Sequence, residues 1–279
     1  MSALPATPAL MLRSALTLNR QGEWPSALPT RQWSAAPLAT DYLQAFHGLF
    51  ALPFSPGRDS PNALLTALYP LALRAQLALM LQPDLPFAIP GAIHLSNRLQ
   101  ALSAIDWQAP FVLSVSASRL TASHSDSEGV ALQVEFAQHG VAVADCRSEY
   151  LVRRGRKPLA RSAPARVQTP SLQETWALTP ALARRYARVS GDYNPIHLHP
   201  WLARWFGARS VLAHGMYLAA RAESVFARVE QRPRAAVAIN FVRPVLLPCD
   251  DLLFQREAEH FVLRRAGQVL ATGAIDLRA

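Results

Sequence analysis

Residues 70–81 read Pro-Leu-Ala-Leu-Arg-Ala-Gln-Leu-Ala-Leu-Met-Leu, so that only Arg74 and Gln76 interrupt an apolar surface running round every face of a helix. A helix of that kind has to be buried on every face, and the chain must therefore build something that surrounds it. Strand-like runs follow at 92–99, 111–117, 130–136 and 141–152, separated by the turn-rich segments Ser125-Asp-Ser-Glu-Gly129 and Gln138-His-Gly140. The same order then recurs. Ala219, Ala222, Val225, Phe226 and Val229 fall at helical spacing over 216–229, and strand-like runs follow at 236–242, 252–260 and 261–274, the last turning at Ala266-Gly267. One helix followed by antiparallel strands, twice over, predicts an α+β chain in which a long helix is wrapped by a curled sheet and the whole unit is duplicated.

A length of 279 residues accommodates two ordinary domains. The natural place to divide them is a Pro/Arg-rich linker at 156–170, giving an N-terminal unit 1–155 and a C-terminal unit 171–279. From Arg154 to Pro170 there are five basic residues, Arg154, Arg156, Lys157, Arg161 and Arg166, no acidic ones, and prolines at 158, 164 and 170. Such a run is a solvated linker, or a surface that steers a phosphorylated handle or an acidic carrier protein. The net charge of +9 is not laid out as a binding face interleaved with aromatics, which argues against nucleic acid as a partner.

Apolar residues make up 51% of the chain and charged ones 17%, enough for a substantial core. No run of about 18 uncharged apolar residues is present, so a soluble protein with no membrane partner is expected. Residues 1–18 contain Pro5, Pro8 and Arg13 and lack the basic start and unbroken apolar core of a secretory signal, which predicts a cytoplasmic location. Cys146 and Cys249 lack metal-ligand spacing and are expected to be free thiols, with no metal and no cofactor implied elsewhere: no Gly-rich dinucleotide loop and no phosphate-binding loop occurs.

Chemistry concentrates in one place. Thr179-Pro180 has the form of an N-cap followed by proline at the first helical position, opening a short helix through Arg188. The loop that ends it, Ser190-Gly-Asp-Tyr-Asn-Pro-Ile-His197, packs an acid, an amide and an imidazole into six residues. Gly191 permits a left-handed turn, and Pro195 fixes its own φ while pushing Asn194 toward an extended conformation. A second short helix is expected over 200–206. Ala213-His-Gly-Met216 then leads into the long helix.

These two elements, in this order and about 30 residues in total, resemble the R-specific enoyl-thioester hydratases, the MaoC-like dehydratases of hotdog fold. A weaker likeness extends over nearly the whole chain: Tyr69-Pro70 with its apolar helix, Phe87 to Arg98, and Phe241-Val-Arg-Pro-Val-Leu-Leu-Pro248 are similar to the double-hotdog (3R)-hydroxyacyl-thioester dehydratases. The resemblance implies two hotdog units in one chain. No second Asp-x-Asn-Pro-x-His occurs before residue 155, so the implied chemistry is confined to the C-terminal unit, and the degenerate N-terminal one accommodates the acyl chain. A double hotdog already contains the pair that single-hotdog proteins form by dimerising, so a monomer or homodimer is expected.

The implied reaction is the reversible hydration of a trans-2-enoyl thioester, with acyl-CoA or acyl-ACP as substrate. It needs a group to take a proton from water, a group to deliver one to Cα, and a donor for the thioester oxygen. By carry-over, Asp192 and His197 both hydrogen-bond the reacting water and divide the first two tasks as a coupled pair. Asn194 orients the water or braces the loop. Gly215, at a helix start where N–H groups are unpaired and no Cβ blocks approach, is the expected oxygen donor. His214, Met216 and Tyr217 are expected to contact substrate, whereas His199 is expected to face elsewhere and His94 to be structural.

Where some members carry a serine further along the helix, this chain has Glu223 with Ser224 next to it. Glu223 keeps open a thioesterase, which would use a carboxylate on the central helix to activate water. A non-catalytic acyl-thioester-binding protein is the third class, and the complete acid, amide and imidazole loop argues against it.

Overall fold

The computed structural model describes residues 2–54, 63–120, 127–153, 155, 167–205, 207–230 and 232–278. In chain order the elements begin with β1 (Ser2–Ala3), α1 (Thr7–Ser14), β2 (Thr30–Ala35), α2 (Thr40–Gly48), α3 (Tyr69–Met80), β3 (Ile93–Ala101), β4 (Phe111–Leu120), β5 (Glu128–Gln138) and β6 (Val141–Arg153). They continue with β7 (Leu172–Leu178), α4 (Pro180–Ser190), α5 (Pro200–Trp205), α6 (Gly215–Glu230), β8 (Arg234–Phe241), β9 (Cys249–Glu257), β10 (His260–Arg265) and β11 (Gln268–Leu277). They fall into two compact units, one of Met1–Leu38 with Leu68–Ala163 and one of Ala39–Ala67 with Pro164–Ala279.

In the first unit the strands lie in the order β1-β2-β4-β5-β6-β3, antiparallel throughout except for the short parallel pair β1 and β2. α3 is the helix the sequence predicts, and apart from Arg74 every one of its residues is buried. The two interruptions have local explanations. The Arg74 guanidinium donates to the Leu4 and Pro5 carbonyls at 2.9 and 3.0 Å. The buried Gln76 amide donates to Ser148 Oγ at 2.9 Å and accepts from the Tyr150 hydroxyl at 3.0 Å, so its burial leaves the amide paired. His94 is stacked on Tyr150 with ring centroids 4.6 Å apart, in keeping with a structural role.

The second unit repeats the plan with the sheet order β8-β11-β10-β9-β7, all neighbours antiparallel. α6 buries eleven residues from Met216 to Ala227. Trp176, on β7, is fully buried, stacks on Phe254 at 4.8 Å and carries the Arg221 guanidinium 4.6 Å above its ring. The β10–β11 hairpin turns at Ala266 and Gly267, both left-handed, where the sequence placed a turn. Each unit is a helix laid against an antiparallel sheet, the α+β hotdog plan.

Residues 39–67 depart from the expected division. Expected inside a unit spanning 1–155, they belong to the second unit. The cause is packing: Phe46 meets Tyr186 at 6.3 Å, Phe50 meets Tyr217 at 5.4 Å, and Leu65 and Thr66 donate to Glu223. α2 itself was not expected, although Leu43, Phe46, His47 and Phe50 recur at helical spacing. The Pro/Arg-rich linker lies, at 154 and 156–166, outside the described residues. Both cysteines are free and buried, and no described helix is long and apolar enough to cross a membrane.

Candidate active site

α4 starts and stops as the sequence dictates. Thr179 Oγ1 accepts from the Leu182 N–H at 3.2 Å, and Gly191 closes the helix in a left-handed conformation at φ 74°, its N–H bonded to the Ala187 carbonyl at 2.8 Å. The loop beyond is held by short-range bonds. Asp192 Oδ1 accepts from the Asn194 N–H at 3.2 Å, Asn194 Oδ1 caps the single turn Pro195–His197 by accepting from Ile196 at 3.4 Å, and the His197 N–H reaches the Asn194 carbonyl at 3.0 Å. Leu212 ties this loop from outside at two points. Its N–H donates to the Ile196 carbonyl at 3.0 Å, and its own carbonyl accepts from His197 Nδ1 at 2.9 Å.

The folded loop brings Asp192 and His197 together with His214, the ligand atoms of the three lying within 4.8 Å of one another. That spacing suits a shared water or a small ion. The tautomers follow from the partners: carbonyls only accept, so His197 Nδ1 and His214 Nε2, which meet the carbonyls of Leu212 and Asp192, each carry a proton. His197 Nε2 is thereby left as a lone-pair acceptor. The two imidazoles stack with centroids 3.9 Å apart and planes 29° apart, and Tyr186 flanks His214 at 4.9 Å.

Burial lowers the His197 pKa, while the Asp192 carboxylate and the Leu212 carbonyl raise it in opposition. For His214, only 2% exposed, burial first and then the neighbouring His197 push the pKa down to about 3. His214 is therefore neutral at ordinary pH. Its Nδ1 is a buried acceptor that no described residue fills.

Gly215 begins α6, and the N–H groups of a first helical turn have no acceptor within the helix. Among the described residues none accepts from the Gly215 N–H. A Cβ at this position would stand 2.6 Å from Phe241 Cε1, so the glycine is required by packing as well as by any approaching oxygen. A small, shallow cleft beside the helix start is lined by Leu178, Thr179, Leu182, Ala183 and Leu247 together with Ala213, His214 and Tyr217. Of the expected substrate contacts, His214 and Tyr217 reach this cleft, whereas Met216 is buried and is not part of its lining. Asn194 spends its carbonyl oxygen on the loop, and His199 is exposed beside Trp201.

Glu223 is elsewhere. It is 0% exposed, and its oxygens accept from the Leu65 N–H at 2.6 Å, the Thr66 N–H at 3.1 Å and the Thr66 hydroxyl at 2.6 Å. Burial raises its pKa, with Arg234 and these donors pulling the other way. Ser224 is also buried, its hydroxyl turned back on the Arg221 carbonyl at 2.7 Å.

Residues 162–256, which contain this whole constellation, match the MaoC-like domain family. The chain is also 31% identical over 226 residues, 75% of its own length and 79% of the relative's, to 3-hydroxyacyl-thioester dehydratase X of Mycobacterium tuberculosis. The chain belongs to the MaoC-like 3-hydroxyacyl-thioester dehydratases. The crystal structure of that mycobacterial enzyme, HtdX, superposes with a TM-score of 0.71 at 25% identity, covering 90% of this chain and all of the other. A MaoC-like dehydratase from Phytophthora capsici does so at 0.65 and 18% identity, covering 90% of this chain and 95% of its own. The 12:0-ACP thioesterase of Umbellularia californica shares the fold at 0.56 and 10% identity, covering 93% and 98%. As a MaoC-like dehydratase the chain is a hydro-lyase, and the family match falls on the half that carries the Asp192 loop.

Proposed function

We propose that the chain catalyses the reversible hydration of trans-2-enoyl thioesters to (3R)-hydroxyacyl thioesters, on coenzyme A or an acyl carrier protein, with Asp192 and His197 sharing one reacting water. The observation that carries this reading is the convergence of the Asp192 carboxylate and the His197 imidazole within 4.8 Å, beside a helix start that His214 joins directly to Gly215. In the hydration direction the water oxygen bonds to Cβ as its proton passes to the Asp192/His197 pair. The electron pair of the C=C bond moves onto the thioester, where the Gly215 N–H meets the oxygen as it becomes negative. The pair then returns a proton to Cα. Base and acid are properties of the coupled pair. Asn194 braces the loop, and His214 and Tyr217 border the substrate.

No cofactor is needed for these steps, and the first unit, which has no Asp-x-Asn-Pro-x-His of its own, takes no part in them. Hydrolysis of the thioester is the weaker reading, because the carboxylate on α6 that would activate water is fully buried with its oxygens occupied by Leu65 and Thr66.

The test is spectroscopic. Wild-type protein should consume the conjugated enoyl absorbance of a 2-enoyl-CoA and yield the R alcohol by chiral analysis. Asp192→Asn and His197→Asn should each lose about 100-fold or more in kcat, the scale of a general acid or base, while keeping the wild-type melting curve. Wild-type rates in either variant would overturn the assignment.

A further inference from the structure

We propose that the exposed face formed by α4, the Asp192–His197 loop and α5 is the docking surface for an acidic acyl carrier protein, an inference that rests on the thioester reading above. Between residues 180 and 214 the chain has five arginines, at 184, 185, 188, 204 and 209, and one acidic residue, Asp192. All five are exposed, and none of their side chains forms an ion pair or hydrogen bond with another described residue.

Exposed arginines elsewhere in this unit are engaged. Among the described residues, Arg228 pairs with Glu174 at 3.3 Å, Arg232 donates to the Arg278 carbonyl, and Arg243 donates to the Val269 carbonyl at 2.9 Å. On α4 the buried positions are Ala183, Tyr186, Ala187 and Ser190, which leaves Arg184, Arg185 and Arg188 together on the opposite stripe.

Apolar surface collects in the same segment. Trp201 and Trp205, one turn apart on α5 and flanking Arg204, are 61% and 78% exposed, and Tyr193 is exposed in the catalytic loop itself. Among the described residues, these are three of the four large hydrophobic side chains that the unit exposes, Val229 being the other. Exposed Trp and Tyr among arginines is the composition of a recognition surface, not of a solvated face.

Charge selects the occupant. Five cations with no acidic residue to offset them but the catalytic Asp192 call for an anionic partner, and steering would raise its encounter rate. A symmetric contact with a second copy would set these arginines against their own equivalents, like against like. A nucleotide's phosphates are small and suit a concave site. Here four of the cations stand on two helices on either side of the loop and Arg209 lies just beyond the second, a footprint for a protein. A carrier bound there would present its thioester arm beside Asp192 and His197.

The experiment titrates an acidic, phosphopantetheinylated carrier protein into the wild type by calorimetry, and into R184E/R185E/R188E and W201A/W205A. In parallel, kcat/KM is measured on the 2-enoyl-carrier and the 2-enoyl-CoA esters. Each variant should weaken carrier binding about tenfold or more and lower kcat/KM on the carrier ester to match, with a change under about threefold on the CoA ester. Raising salt from about 50 to 300 mM should weaken carrier binding to the wild type. The two variants alter different helices, so misfolding of one leaves the other to decide.

The proposal is overturned by absence of wild-type carrier binding, or by equal losses on both esters, which would make this a nucleotide-phosphate site. It also fails if W201A/W205A dissociates a dimer, or abolishes sedimentation with anionic vesicles while carrier binding persists. Failure of the thioester reading is separable, because it appears as no turnover of either ester by wild type, whatever the calorimetry gives.

Discussion

At His214 one imidazole makes two separable contacts: its Nε2–H holds the Asp192 carbonyl at 3.1 Å, and its ring face lies on His197 at 3.9 Å. The first ties the Asp192 loop and the second packs against the His197 ring, so both bear on the geometry of the proposed Asp192/His197 pair. His214→Gln keeps an N–H donor and loses the stacked ring, while His214→Phe keeps a stacked ring and loses the donor. Misplacing a catalytic group by about an ångström costs about 100-fold, so we expect His214→Phe to lose roughly that in kcat, and His214→Gln to lose less, KM changing little in either. A phenylalanine variant as active as the glutamine variant would show that the hydrogen bond does not position the loop. That Asp192, Asn194 and His197 share one constrained loop was legible in the sequence because loop, glycine and proline are contiguous. The bond from His214 spans 22 residues and could not be read from spacing.

Along α6 the first turn and the third do different work. Gly215 opens the helix at the site, and Glu223, about 12 Å further along the axis at 1.5 Å per residue, anchors the segment that closes residues 39–67 onto the unit. His47 makes the companion contact, donating from Nδ1 to the Leu43 carbonyl at 2.7 Å and accepting the Leu64 N–H on Nε2 at 2.9 Å. Glu223→Gln replaces an acceptor oxygen by an NH2 group, which faces a donor it cannot satisfy, and deprives Arg234 of its carboxylate. We expect about 1–3 kcal/mol of destabilisation by denaturant unfolding, with hydratase kcat per folded molecule within about threefold of wild type. Unchanged stability would remove the anchoring role. Both core helices were legible from apolar periodicity, and most of their strands from alternation and turn residues, whereas β1, β2 and β7 were not expected. The partnership between Glu223 and residues 65–66 was not, since it links positions 158 apart and an isolated glutamate at a family serine position suggests chemistry before structure.

At the scale of the molecule, duplication was legible because each half carries its own helix and strands, whereas membership of residues 39–67 was not, because it is decided by long-range packing of Phe46 and Phe50 on Tyr186 and Tyr217. Two histidines are buried in the second unit, and both bear on how the protein responds to acid. His47, fully buried beside Arg234, has its pKa pushed down to about 4, mainly by burial, and His214, between His197 and Asp192, to about 3. Both lie below the unfolded value of about 6.5. The folded state therefore holds fewer protons than the unfolded one at pH values between, and stability must fall as pH drops through that window. The contributions are whole above about pH 6.5 and are lost progressively down to about 4 for His47 and about 3 for His214, on the order of 2 kcal/mol each by pH 5. Together they correspond to a fall of about 10 °C in melting temperature between pH 7.5 and 5. Circular dichroism melts across that range, with His47→Gln alongside, provide the check: the variant should start lower at pH 7.5 and lose about half as much on acidification. A wild-type melting temperature flat from pH 7.5 to 5, or an undiminished slope in His47→Gln, would mean that these imidazoles do not titrate as buried neutral groups.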